Sequence, residues 1–167
     1  DGSLGAPVKW NATNRGRFRD AAGVEFAEFS DQSTALGQGT FAANTGYAST
    51  AVGFEALNAN TTGRRNTAVG VYALESLTTG FQNTTIGVHA GGGVVAGQSN
   101  TLLGYAAGGP TTAPLNFNVA VGTEAFAGSG ASTGSGNVAV GYRALGSINT
   151  ADQCVGIGFM AGRYANA

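Results

Sequence analysis

The side chains that could do chemistry are few. Gly130-Ala131-Ser132-Thr133-Gly134 fits the G-x-S-x-G spacing in which a strained turn between strand and helix exposes a nucleophilic serine. That segment lies in a Gly/Ser-rich stretch with no helical pattern behind it. The single histidine, His89, precedes the serine, whereas elbow enzymes place their histidine after it. Gly156 to Ala161, "GIGFMA", fits G-x-G-x-x-A, but only nine residues follow Gly158, too few to reach the acidic residue that would hold a ribose. Glu55, Glu75 and Glu124 fall in separate copies of a repeated phrase, which leaves no acid/base pair. His89 takes a slot filled elsewhere by Glu55, Tyr72, Glu124 and Arg143, so it reads as a surface side chain. The expectation is a protein without catalysis, cofactor or metal.

What must position these residues is unusual in composition. Of 167 residues 29 are Gly and 17 are charged, whereas a typical domain has roughly 7% Gly and about 25% charged residues. Regularly placed Val, Ile and Leu within 43% hydrophobic content argue against disorder. A net charge of -1 gives no electrostatic reason to expect nucleic acid or an anionic membrane as partner. No run is apolar for the roughly 18 residues a membrane span needs, so no membrane insertion is expected. Cys154 is alone, which excludes an internal disulfide framework. The three sequons, at Asn11, Asn60 and Asn83, are what an Asn/Thr-rich repeat yields by chance.

Internal repetition governs the reading. Eight phrases end at Gly37, Gly53, Gly70, Gly87, Gly104, Gly122, Gly141 and Gly158, in steps of 16 to 19 residues. Within them a branched apolar column (Leu36, Val52, Val69, Ile86, Leu103, Val121, Val140, Ile157) follows a Thr/Val column (Thr34 to Val155) with period two, a strand signature. Both columns share one face, read here as the inside, with Val52, Val69, Ile86, Leu103, Val121, Val140 and Ile157 as the core rungs. The opposite face carries Ala and Gly (Ala51/Gly53, Ala68/Gly70, Ala120/Gly122), small enough for another backbone to approach. Apolar residues one and four positions after each Gly fit either a short helical turn or a second, bent strand. A second Gly after a polar pair (Gly46, Gly63, Gly80, Gly97) closes each coil. Asn66, Asn83, Asn100, Asn118 and Asn137 would stack at one corner, where Asn accepts left-handed backbone and bonds to neighbouring backbone. The fold expected is mainly β: a parallel β-solenoid of about eight rungs of about 17 residues.

Residues 1–32 hold 9 of the 17 charges, Trp10, and no copy of the repeat. "RFRDAAGVEFAEFS" reads as a hairpin, with strands over Arg17 to Arg19 and Val24 to Phe29, that caps the first rung or joins it to a preceding segment. Residues 33–167 form the solenoid domain. Each rung offers three or four apolar side chains to its interior, so a single chain is marginal and a parallel homo-oligomer is expected.

The phrases "STAVGFEAL", "NTAVGVYAL", "NVAVGTEAF" and "NVAVGYRAL" resemble the head repeats of trimeric autotransporter adhesins and related repeats of bacteriophage tail fibres. The resemblance covers Ser33 to Ala167. It implies a left-handed β-roll, a homotrimer with the option of end-to-end joining in a fibre, and an extracellular place on a virion tail fibre or bacterial surface. Rungs near 17 residues, longer than in the adhesin heads, favour the fibre branch. The function implied is host attachment or cell adhesion by a structural fibre segment; the alternative is a spacer or filament subunit with no ligand of its own. For attachment, the candidate contacts to a cell-surface glycan or protein are Tyr105, Phe117, Phe126 and Tyr142, with the loops Gly108 to Phe117 and Ala127 to Gly136.

Overall fold

The computed structural model describes residues 16–19, 21–23, 25–29, 32–41, 45–110, 112, 114–128, 134–148 and 152–162. The described residues form one sheet of ten strands in sequence order. Strands β1 (Gly16–Arg19) and β2 (Glu25–Phe29) are an antiparallel hairpin. The three-residue strands β3 (Thr34–Leu36), β4 (Thr50–Val52), β5 (Thr67–Val69), β6 (Thr84–Ile86), β7 (Thr101–Leu103), β8 (Val119–Val121), β9 (Val138–Val140) and β10 (Val155–Ile157) are parallel and in strict register. Seven coils of 16 to 19 residues separate them, so the chain is a β-solenoid. At about 4.8 Å per strand the stack rises about 34 Å.

The hairpin lies on the outer edge of β3. Strand β2 runs antiparallel to it, with Ala27 opposite Leu36 and Phe29 opposite Thr34, and so satisfies an edge that would otherwise template foreign strands. Phe18 and Phe29 meet edge to face across the hairpin at 5.8 Å. Arg17 and Val24, part of the expected strands, have side chains outside the described set, as does all of Trp10.

The inside and outside of the solenoid are the reverse of the sequence expectation. In each strand the middle residue is buried and the flanking pair faces out. Ala51, Ala68, Leu102, Ala120 and Ala139 are wholly buried, whereas the expected core rungs Val52, Val69, Leu103, Val121 and Val140 are only partly covered and Ile86 and Ile157 are 47% and 68% exposed. The reason is the thinness of the coil. Its facing wall comes so close that Ala fills most strand positions, and the second wall supplies the bulk with Leu57, Leu74, Leu77, Val94, Leu115, Phe126 and Leu145. The small-residue face therefore meets the protein's own second wall. At Gly104 the geometry forbids a side chain, because a Cβ would fall 2.6 Å from the carbonyl oxygen of Gly122 on the next coil.

Volume is exchanged between the walls where the pattern breaks. Strand position Leu102 faces Gly108, where other coils pair Ala with Leu; a Cβ on Gly108 would lie 2.7 Å from a Leu102 methyl. Gly156 faces Leu145 in the opposite sense, with a hypothetical Cβ 2.6 Å from it. Thr85, buried in the same column, is satisfied by donating to the Thr67 carbonyl at 3.2 Å.

The segment after each strand is neither of the forms left open by the sequence; the described residues contain no helix, and this segment is a turn run. Left-handed residues alternate with ordinary ones: Glu55 and Leu57 (φ 53° and 51°), Tyr72 and Leu74 (58° and 49°), Glu124 and Phe126 (53° and 52°), Arg143 and Leu145 (53° and 50°). Each such residue costs about 1–2 kcal/mol. The alternation is offset by bonds that run to both neighbouring coils: Tyr72 N–H donates back to Phe54 at 2.9 Å and Leu74 N–H forward to Ala90 at 3.0 Å. A second, one-residue-wide parallel ladder through Arg64, Phe81, Gln98, Asn116 and Ser135 closes the coil.

The Asn column stands at one corner and is buried. From Asn66 to Asn118, Oδ1 accepts from the next Asn twice: from its backbone N–H (Asn83 to Asn66, 3.0 Å; Asn100 to Asn83, 3.1 Å) and from its Nδ2 (3.0 and 2.8 Å), while Asn137 Oδ1 accepts from the Cys154 N–H at 2.9 Å. Each Nδ2 also donates to a carbonyl of the closing turn, Asn100 to Leu115 at 2.7 Å and Asn118 to Gly134 at 3.0 Å. The left-handed backbone belongs to the residue before each Asn: Arg65, Gln82, Ser99 and Phe117 have φ between 54° and 59°.

Candidate functional site

The outer surface follows from the same register. Side chains two positions after each glycine stack along the rod as Glu55, Tyr72, His89, Ala106, Glu124, Arg143 and Met160. Phe54 meets Tyr72 edge to face at 5.4 Å, and the His89 ring lies on Tyr72 at 4.8 Å with 17° between planes. Further along, Arg143 pairs with Glu124 and lies 5.2 Å over the Tyr142 ring, while Tyr142 stacks on Phe159 at 5.3 Å. These contacts fix side-chain positions along the rod, at about 1 kcal/mol per aromatic pair.

Between those two clusters the surface is notched. Small residues enter the outer columns here: Tyr72 and Glu75 on one coil are followed by His89 and Gly92, then by Ala106 and Gly109. The result is a recess of about 220 Å³ spanning three coils, with Glu75, His89, Tyr105 and Pro110 around a floor of glycine and alanine. His89 Nδ1 stands 3.8 Å from Glu75 Oε1, and both side chains remain solvent-accessible. A Cβ on Gly109 would lie 2.6 Å from the Ala127 backbone, so that part of the floor is glycine for reasons of space, whereas one on Gly92 would lie 3.3 Å from the movable Glu75 carboxylate. The recess offers a carboxylate that accepts, an imidazole and a flat phenol ring. The groups present suit binding of a small polar ligand.

The four expected contact residues do not share one fate. Tyr105 is 53% exposed and lines the recess, Phe117 is 57% exposed at the corner turn, and Tyr142 is outward in the second stack. Phe126 is a correction: only 2% exposed, it takes the inward slot held in other coils by Leu57, Leu74 and Leu145, and it belongs to the core. The loops expected at Gly108 to Phe117 and Ala127 to Gly136 include 111, 113 and 129–133, which lie outside the described residues, as does the serine of "GASTG". Among the described residues, no three His, Cys, Asp or Glu side chains are grouped as a metal site would require, and no helix is long and apolar enough to cross a membrane. Sequence reasoning weighed Glu75 only as half of an acid/base pair and passed over the glycine floor. The signal was present as the run Gly91-Gly92-Gly93, where the neighbouring coil has Leu74-Glu75-Ser76.

The outward strand face is the other extended feature. Leu36, Ile86, Val155 and Ile157 are exposed on it, and the remaining Val and Leu of that column are partly so. Beside them runs the Thr column Thr34, Thr50, Thr67, Thr84 and Thr101, continued by Val119, Val138 and Val155. Comparison with protein-family models, with curated protein sequences and with solved structures finds no match to this chain.

Proposed function

We propose that the chain is a non-catalytic segment of an extracellular fibre, on a virion tail or a bacterial surface, that assembles as a homotrimer and presents its outer side chains to a cell envelope. The observation that carries this reading is the strand face: an aliphatic column the full length of the rod, left facing water in a single chain. Contiguous apolar strips of this kind on a soluble protein mark interaction surfaces. Three copies in register around a common axis would cover all three strips, leaving the aromatic stacks and the recess outermost. Three identical rods also present every outer contact three times, and linked weak contacts gain by effective concentration.

The test is the mass in solution together with binding to intact cells. Sedimentation is expected to give three times 16.5 kDa, with the assembled protein retained on cells or purified envelope glycans. A stable folded monomer at micromolar concentration would remove the assembly. A trimer that binds no envelope would leave the protein a spacer.

A further inference from the structure

The recess lined by Glu75, His89 and Tyr105 forms where Gly92, Ala106 and Gly109 leave space between the outer side chains of three coils. We propose that it is a subsite for one neutral pyranose residue of an envelope glycan, an inference that rests on the display reading above. Four features select that class. Its volume of about 220 Å³ is below the roughly 300–1,000 Å³ of pockets for drug-sized ligands, which suits a single ring. Tyr105 exposes a flat ring able to cover the C–H face of a sugar at low entropic cost. The two oxygens of Glu75 can accept from adjacent hydroxyls, and the His89 imidazole, held in plane by its stack on Tyr72, adds a further polar contact. Among the described residues no lysine or arginine lines the recess, so a phosphate, sialate or uronate would face the Glu75 carboxylate without a compensating cation.

The experiment titrates the assembled protein with neutral gluco-, galacto- and manno-oligosaccharides, with sialyllactose as the acidic control, and follows ligand signals by saturation-transfer NMR. Three variants accompany it: Tyr105→Ala, Glu75→Gln, and Ala106→Tyr, which fills the recess with the residue that Tyr72 already places in that column. At least one neutral series is expected to bind. Each variant should weaken it about tenfold or more, as loss of a charge-assisted hydrogen bond or a stacking face does, while circular dichroism and assembly mass stay unchanged. Equal binding by all three variants, preference for sialyllactose, or no binding by any neutral sugar overturns the subsite. Cell retention of the unaltered protein separates the two readings: retained protein whose Ala106→Tyr variant is retained equally keeps the display reading and loses the recess. If the unaltered protein is not retained, both fall.

Discussion

Asn100 illustrates how much one residue holds. Its Oδ1 accepts from Asn118 N–H and Nδ2 at 3.0 and 3.2 Å, and its Nδ2 donates to Asn83 Oδ1 and Leu115. All four capacities of the amide are used in a site 2% exposed. Replacement by Ala would strand groups on both neighbours, at about 1–3 kcal/mol for each buried group left unpaired. Asn100→Ala is therefore expected to lower the urea midpoint more than Thr101→Ala, whose side chain faces outward; equal shifts would show that the ladder contributes nothing. The corner position of the Asn column was legible in the sequence from its fixed place at the start of each phrase. Its bonding partners were legible only in kind, because the closing-turn carbonyls lie 14 to 16 residues away.

For the strands and the turn runs that face them, the period-two pattern located every strand but assigned its faces the wrong way round. The usual inference puts branched apolar residues inside, and it holds where a core is about 10 Å thick. Here the walls of one coil are closer, so Ala68 is interior and Val69 exterior, and hydrophobicity alone could not say so. The alternating left-handed turn was equally hidden, since ordinary residues such as Tyr72 and Leu74 adopt it under pressure from inter-coil bonds. The hairpin, by contrast, was readable, because its turn and alternation are local. The exchange of volume between Leu102 and Gly108 gives a test of the two-wall core. Leu102→Ala alone should cost about 2–5 kcal/mol as a large-to-small core change, and Gly108→Leu alone should overpack by about 1–3 kcal/mol. The double variant recreates the Ala/Leu pairing of Ala68 and Leu74, with Leu in the left-handed region that Leu74 also occupies, though at φ 77° for Gly108 against 49° for Leu74. Its loss in thermal stability should fall well short of the sum; strict additivity would mean the two walls do not share that space.

At the scale of the whole molecule, fold and assembly should separate cleanly by face. Ile86→Asp places a charge on a side chain that is 47% exposed in one chain, so the variant should keep its β signature yet sediment as a monomer. Ala68→Asp puts the charge in a wholly buried slot, where an unpaired ion costs several kcal/mol, and should fail to fold. Loss of β signature in both, or trimers from both, would contradict the proposed interface. The direction of the hydrogen bonds has a mechanical consequence. Every inter-strand bond from β3 to β10 points along the rod, so tension between its ends loads them in series and opens one coil at a time. A 17-residue coil occupies about 4.8 Å of rod but reaches about 58 Å when drawn out, a gain of roughly 50 Å per coil released. Force spectroscopy would read this as a staircase of near-equal steps, and a single cooperative rupture would refute it. A fibre built this way would yield under a pull by paying out slack, keeping hold at its far end while the load is absorbed coil by coil.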